Sequence, residues 1–271
     1  MMRIKQIPLQ AGDGRHLHYA LQTDDLYDND PFIILADDRF AHNTFADHPH
    51  KGIQTVTYVL DGSLTHYDSK TGGGGRLHVG DFQMMTAGRG IIHNENPDAN
   101  EDVRVLQLWV NLSSEHKKVD GYYEDLPKAN VPRVALKNGH IDVLAGTIDG
   151  VSSPLTLLTP FFYGNVELQA DAAHTFTIPA TYNSYVYVLD GEFTIDGETA
   201  RAYDFIHLDR SDDEQHVTVH ATSNTRFVIF SGEPIKEPIV AQGPFVMNTT
   251  EEIQQAFRSY RDGSFLDGKT Y

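Results

Sequence analysis

The sequence contains no cysteine in 271 residues. Disulfides and thiolate ligands are therefore excluded, and any metal must be held by histidines and carboxylates. The absence also fits a reducing compartment, and a cytoplasmic protein is expected. Basic residues are scarce: 21 Lys and Arg stand against 38 Asp and Glu, for a formal net charge of -17, and no Lys/Arg cluster interrupts the acidic excess. That balance opposes phosphate backbones and anionic lipid surfaces, so neither direct nucleic-acid binding nor membrane association is expected. Long apolar runs are missing as well. No stretch approaches a membrane span, and the opening Met1–Pro8 lacks the apolar run and cleavage site of a signal peptide. No glycine-rich phosphate loop precedes a helix and no serine nucleophile elbow is present, which leaves nucleotide and serine-nucleophile chemistry unsupported.

What the chain does have is histidine, 14 in all. One stretch opens with Asp47-His48-Pro49-His50 and closes with Gly90-Ile91-Ile92-His93-Asn94-Glu95. Between them Gln54-Thr55-Val56-Thr57-Tyr58-Val59-Leu60 is rich in β-branched and aromatic residues and is stopped by Asp61-Gly62. Alternate side chains of a strand share a face, so His48 pairs with His50 and His93 with Glu95. On neighbouring strands these pairs would converge as three imidazoles and one carboxylate. Such nitrogen and oxygen donors suit iron, nickel, copper or zinc, and four ligands leave coordination positions open, as a catalytic site requires. Turn signals at Gly72–Gly75, Gly80-Asp81 and Ala87–Gly90 have the short spacing of a small β-barrel. A second His-x-His, His16 and His18, has no carboxylate or histidine partner at a fixed distance and reads as the outer face of a strand.

Phe32–Phe40 reads as a buried strand, and Val103–Leu112, apolar in both alternating sets, as a central strand covered on both faces. The polar stretch Ser113–Pro132 is the best linker. Beyond it the pattern repeats: Tyr187-Val188-Leu189-Asp190-Gly191 copies Tyr58-Val59-Leu60-Asp61-Gly62, and Asp204-Phe205 echoes Asp81-Phe82. A duplicated strand-rich unit follows. Counting from these anchors places Thr177, Pro179, His216 and Thr218 where His48, His50, His93 and Glu95 stand, so the second unit is expected to hold no metal. Near the end, Thr249 and Glu252 form a capping box, Ile253, Ala256, Phe257 and Tyr260 an apolar stripe, and Gly263 a stop, which together predict a helix.

His48-Pro49-His50-Lys51-Gly52, Thr55–Gly62, Met85–Glu95, Leu106-Gln107-Leu108-Trp109-Val110-Asn111-Leu112 and Gly243-Pro244-Phe245-Val246-Met247-Asn248-Thr249 resemble the pirin family. The resemblance runs from about His42 to about Gly263. It implies an all-β protein of two tandem cupin (jelly-roll β-barrel) domains with a C-terminal α-helix. The expected division is a metal-binding domain at 1–130 and a metal-free domain with the helix at 131–271. It also implies one divalent ion on His48, His50, His93 and Glu95, with Fe(II) the first choice and Ni, Cu, Zn or Mn the alternatives. The implied activity is that of a quercetin 2,3-dioxygenase, an oxidoreductase that opens a flavonol ring with O2 and releases carbon monoxide, on a small aromatic substrate. Glu95 is the only base that the motif offers. A different reading of the same resemblance is a metal-dependent regulatory protein that binds a protein partner and performs no chemistry. The chain departs from the family at Gln54, where pirins usually carry a glutamate four residues after the second histidine. In an unbroken strand Gln54 would share the face of His50.

Overall fold

A computed structural model describes residues 2–12, 14–72 and 74–266. The chain forms two compact units, Leu9–Lys128 with Ile235–Tyr271, and Met1–Pro8 with Ala129–Pro234.

In the unit that carries His48, a seven-stranded antiparallel sheet packs over a four-stranded one. The large sheet runs Tyr122–Leu126, Phe82–Thr86, Ile53–Asp61, Asp102–Asn111, Phe32–Ala41, Arg15–Leu21 and Leu9–Gly12. Asp102–Asn111 is the middle strand, which accounts for its apolar residues on both faces. The small sheet runs His48–His50, Ile91–Asn96, Ser63–Asp68 and Arg76–His78. Ile53 and Met85 of the large sheet meet Ile91 of the small one, and Val59, Val103 and Val105 meet Leu64 and Leu77. These two apolar clusters leave a polar interior between them.

The helix Thr250–Asp262, which a division at residue 130 would leave with the second half, packs in this unit. Its capping box is complete, with the Glu252 amide donating to the Thr249 hydroxyl and the Glu252 carboxylate accepting from the Thr249 amide. Gly263 closes it in the left-handed region at φ 79°. Ile253 and Ala256 are buried with Phe245, Met247 and Phe265, and Phe257 lies against them. Tyr260, the last residue of the expected stripe, is 41% exposed and meets Phe265 edge to face. The expected linker is also largely structured: Tyr122–Leu126 pairs with Phe82–Thr86 as an edge strand, where a polar sequence is tolerated.

The other unit repeats the plan, with a seven-stranded sheet that includes Arg3–Gln6 at its edge and a four-stranded sheet. Asn183–Asp190 and Asp204–Leu208 hold the places of Ile53–Asp61 and Phe82–Thr86. Its interior is apolar, filled by residues such as Phe176, Ile178, Phe193, Val217 and Val219. Thr177 and His216 are cross-strand partners, as His48 and His93 are. They lie on the face away from Phe176 and Val217, however, and His216 is exposed. The sequence count is thus one residue out of phase: His216 is not an inward-facing relic of a ligand. Among the described residues no helix is long and apolar enough to cross a membrane.

Candidate metal site

Two strand pairings bring the histidines together. In the pairing of His48–His50 with Ile91–Asn96, His93 stands directly opposite His48 and Ile91 opposite His50. Directly opposed residues project to the same side, so all three imidazoles enter the interior. One ligating nitrogen from each of His48, His50 and His93 falls within a 4.8 Å group that could hold a metal ion. The ring centroids are 4.4 Å apart for His48 and His93, and 5.0 Å apart for the other two pairs.

Hydrogen bonding sets which nitrogen each ring offers. His48 Nδ1 is 2.9 Å from the Ala46 carbonyl and His50 Nδ1 is 3.2 Å from the Pro244 carbonyl. A carbonyl only accepts, so both Nδ1 atoms carry the proton and both Nε2 atoms keep a lone pair. His93 Nδ1 meets Nε2 of the buried His66 at 3.2 Å. Among the described residues, Nε2 of His50 and of His93 are buried and have no hydrogen-bond partner. Orphaned buried nitrogens are costly unless something is bound there, and this donor set fits a divalent ion. Burial pushes the His50 pKa down to about 3 and that of His93 well below the ordinary imidazole value, with neighbouring histidines adding to both shifts. Both rings are therefore neutral at neutral pH, as ligands must be.

Glu95 shares the inward face with His93 but lies outside the three-histidine group. Its carboxylate reaches across the interior to the large sheet, where Oε1 accepts from the Thr57 hydroxyl at 2.7 Å and Oε2 from the Gln107 amide at 3.0 Å.

A cavity of about 330 Å³ opens from His48 and His50, with Glu95 and Gln107 in its wall. Leu17, Ile34, Phe40, Phe45 and Trp109 make much of the remaining wall apolar. Trp109 meets His50 edge to face at 4.9 Å. Arg15 also lines the cavity; it lies over Phe45 at 5.0 Å and grips Asp38 through Nε and Nη2. Arg15, Leu17 and Tyr19 all border this space, so His16 and His18 take the other face of their strand.

Two family models match, Pirin over residues 9–110 and the Pirin C-terminal cupin domain over residues 163–266. Pirin of Homo sapiens is 35% identical over 96% of this chain and 92% of its own length. The chain belongs to the pirin family. Among solved structures, a quercetin 2,3-dioxygenase from Acinetobacter baumannii is 30% identical at a TM-score of 0.88, covering 98% of both chains. The bacterial pirin YhhW from Escherichia coli, solved in complex with nickel(II), is 25% identical at a TM-score of 0.70, covering 87% of this chain and 100% of its own.

Several residues hold this pirin site in place in roles that the sequence motifs do not reveal. Pro244, from the C-terminal segment, supplies the carbonyl that orients His50. Val246 donates its amide to the Lys51 carbonyl, and its own carbonyl lies where a Cβ on Gly52 would sit, at 1.9 Å. With φ at 81°, position 52 thus needs glycine twice over. Lys117, 3% exposed, donates to the Gly52 carbonyl at 2.8 Å and to Asn111 Oδ1, and burial lowers its pKa to about 7. Gln54 is found on the face of its strand opposite Thr57, because the backbone turns at Gly52 before the strand Ile53–Asp61 begins. The parity count from His50 to Gln54 assumes one unbroken strand and fails there.

Proposed function

We propose that the protein is a metal-dependent dioxygenase that opens a flavonol-type ring at this site, with the divalent ion on His48, His50 and His93 and Glu95 as a further ligand or base. The observation that carries the reading is the cluster of imidazoles with orphaned Nε2 atoms opening onto an aromatic-lined cavity. An ion held there supplies Lewis acidity and open positions for small ligands. The protein does the rest. Phe45, Phe40 and Trp109 offer faces and edges against which a flat aromatic ring packs and from which water is excluded. Glu95 stands in the same wall, and in this reading it takes the proton of an enolic hydroxyl and holds it until ring opening returns it. The likeness to the Acinetobacter baumannii quercetin 2,3-dioxygenase supports the substrate class, and the nickel(II) complex of YhhW supports a divalent ion. Fe(II) is the first metal to test.

The test is oxygen uptake with quercetin by protein loaded in turn with iron, nickel, copper, zinc and manganese. Slow uptake above the free-metal blank is expected, abolished in His93→Ala while circular dichroism shows the fold intact. If no metal supports uptake, the activity is wrong. The regulatory reading, a pirin that binds a protein partner, then takes its place.

A further inference from the structure

Glu95 starts on the small sheet, as His48, His50 and His93 do, yet both of its oxygens are bonded to the large one. The two donors are themselves cross-strand partners: Gln107 stands directly opposite Thr57. Their hydrogen bonds, at 2.7 Å and 3.0 Å, hold a carboxylate that lies outside the three-histidine group. The amide of Gln107 cannot turn to offer its oxygen instead, because Trp109 Nε1 donates to that oxygen at 3.3 Å. Trp109 is fixed in turn by its edge-to-face packing on His50. A continuous set of contacts therefore runs from one candidate ligand, His50, through Trp109 and Gln107 to the other, Glu95.

We propose that Gln107 and Thr57 are positioning residues that restrain Glu95 as a labile fourth ligand, held off the histidine group until one of their hydrogen bonds is given up. The proposal rests on the metal-site reading and not on ring opening. Partners of metal ligands ordinarily pre-place them, and losing such a partner weakens metal binding. A restraint has the opposite sign: removing it frees a carboxylate to bind the ion, and metal binding tightens. The neutral amide and hydroxyl suit this role because each forms only one bond to the carboxylate, which leaves the other lone pairs of each oxygen open to a cation.

The experiment measures nickel(II) affinity by calorimetry and the visible spectrum of the cobalt(II)-loaded protein in wild type, Thr57→Val and Gln107→Leu, each also in a Glu95→Gln background. Thr57→Val is nearly isosteric, so it serves even if Gln107→Leu disturbs the fold. Affinity is expected to rise by about tenfold in each single variant, within the span over which outer partners tune metal sites. The cobalt(II) bands should shift as a carboxylate joins the ion, and both effects should vanish when Glu95 is replaced. Weaker binding, unchanged binding, or a gain that persists with Glu95→Gln overturns the proposal. Wild type that binds no nickel(II) overturns the metal-site reading with it, whereas metal binding without oxygen uptake touches only the proposed activity.

Discussion

Nε2 of His66 lies 3.2 Å from Nδ1 of His93, and both rings are buried. Burial keeps His66 below its ordinary pKa, so the ring is neutral and able to accept the His93 proton at Nε2. That bond leaves the His93 Nε2 lone pair facing His48 and His50. His66→Leu should lower nickel(II) affinity by about 10- to 100-fold with the fold intact, because His93 loses the partner that fixes its tautomer. His66→Gln, whose carbonyl also accepts, should recover part of the loss. Equal affinities in all three proteins would show that His66 is only packing.

His66 marks the limit of what could be read from the sequence. Strands, turns, the duplication and the capped helix follow from local patterns, and His48, His50, His93 and Glu95 from strand parity and motif. His66 shares an inward face with Leu64 and Asp68, but placing it beside His93 needs the register that pairs Glu95 with His66. Pro244 lies 194 positions from His50 along the chain and is joined to it by a fold-back that no local pattern encodes. The exchange of terminal segments escapes for the same reason: Arg3–Gln6 pairs with Asp204–Leu208, far along the chain. Lys117 sits in a polar stretch that reads as linker, yet it is almost wholly buried.

Purified protein should carry about one divalent ion per chain, since metal binding is coupled to the one histidine group found among the described residues. His50→Ala should reduce affinity sharply, while His16→Ala and His216→Ala should not. Elemental analysis that finds two equivalents, or loss of metal in His216→Ala, would contradict this assignment.

Metal-free protein should lose stability as pH falls. An unfolded histidine takes up its proton near 6.5, but buried His50 does so only at about 3, and His93 is shifted the same way. Between those values the unfolded chain binds more protons, so stability is fully present above 6.5 and drains away as pH drops toward 3. Each such ring contributes up to about 1.4 kcal/mol per pH unit in that window. Chemical denaturation in a chelator, compared at about pH 7 and pH 5, should show a shallower dependence in His50→Ala. An identical dependence in the two proteins would mean that His50 is not held neutral by burial.

Gln54→Glu tests the face assignment at the position where the family usually has glutamate. Gln54 is fully buried; its Nε2 donates to the Thr86 hydroxyl at 2.9 Å, and its Oε1 has no partner among the described residues. It alternates with Thr55 and Thr57, and only Thr57 of these three reaches Glu95. A carboxylate introduced at position 54 therefore enters the buried face turned away from the histidines, and its pKa should rise by desolvation. A raised folded-state value stabilises at low pH and is lost as pH rises, so the variant should be destabilised at neutral pH. The expected cost is about 1–3 kcal/mol, easing on acidification. Metal affinity and the pH profile of any oxygen uptake should stay as in wild type. Should the profile instead gain a titrating group, with the fold intact by circular dichroism, position 54 reaches the metal after all and the turn at Gly52 has been misread.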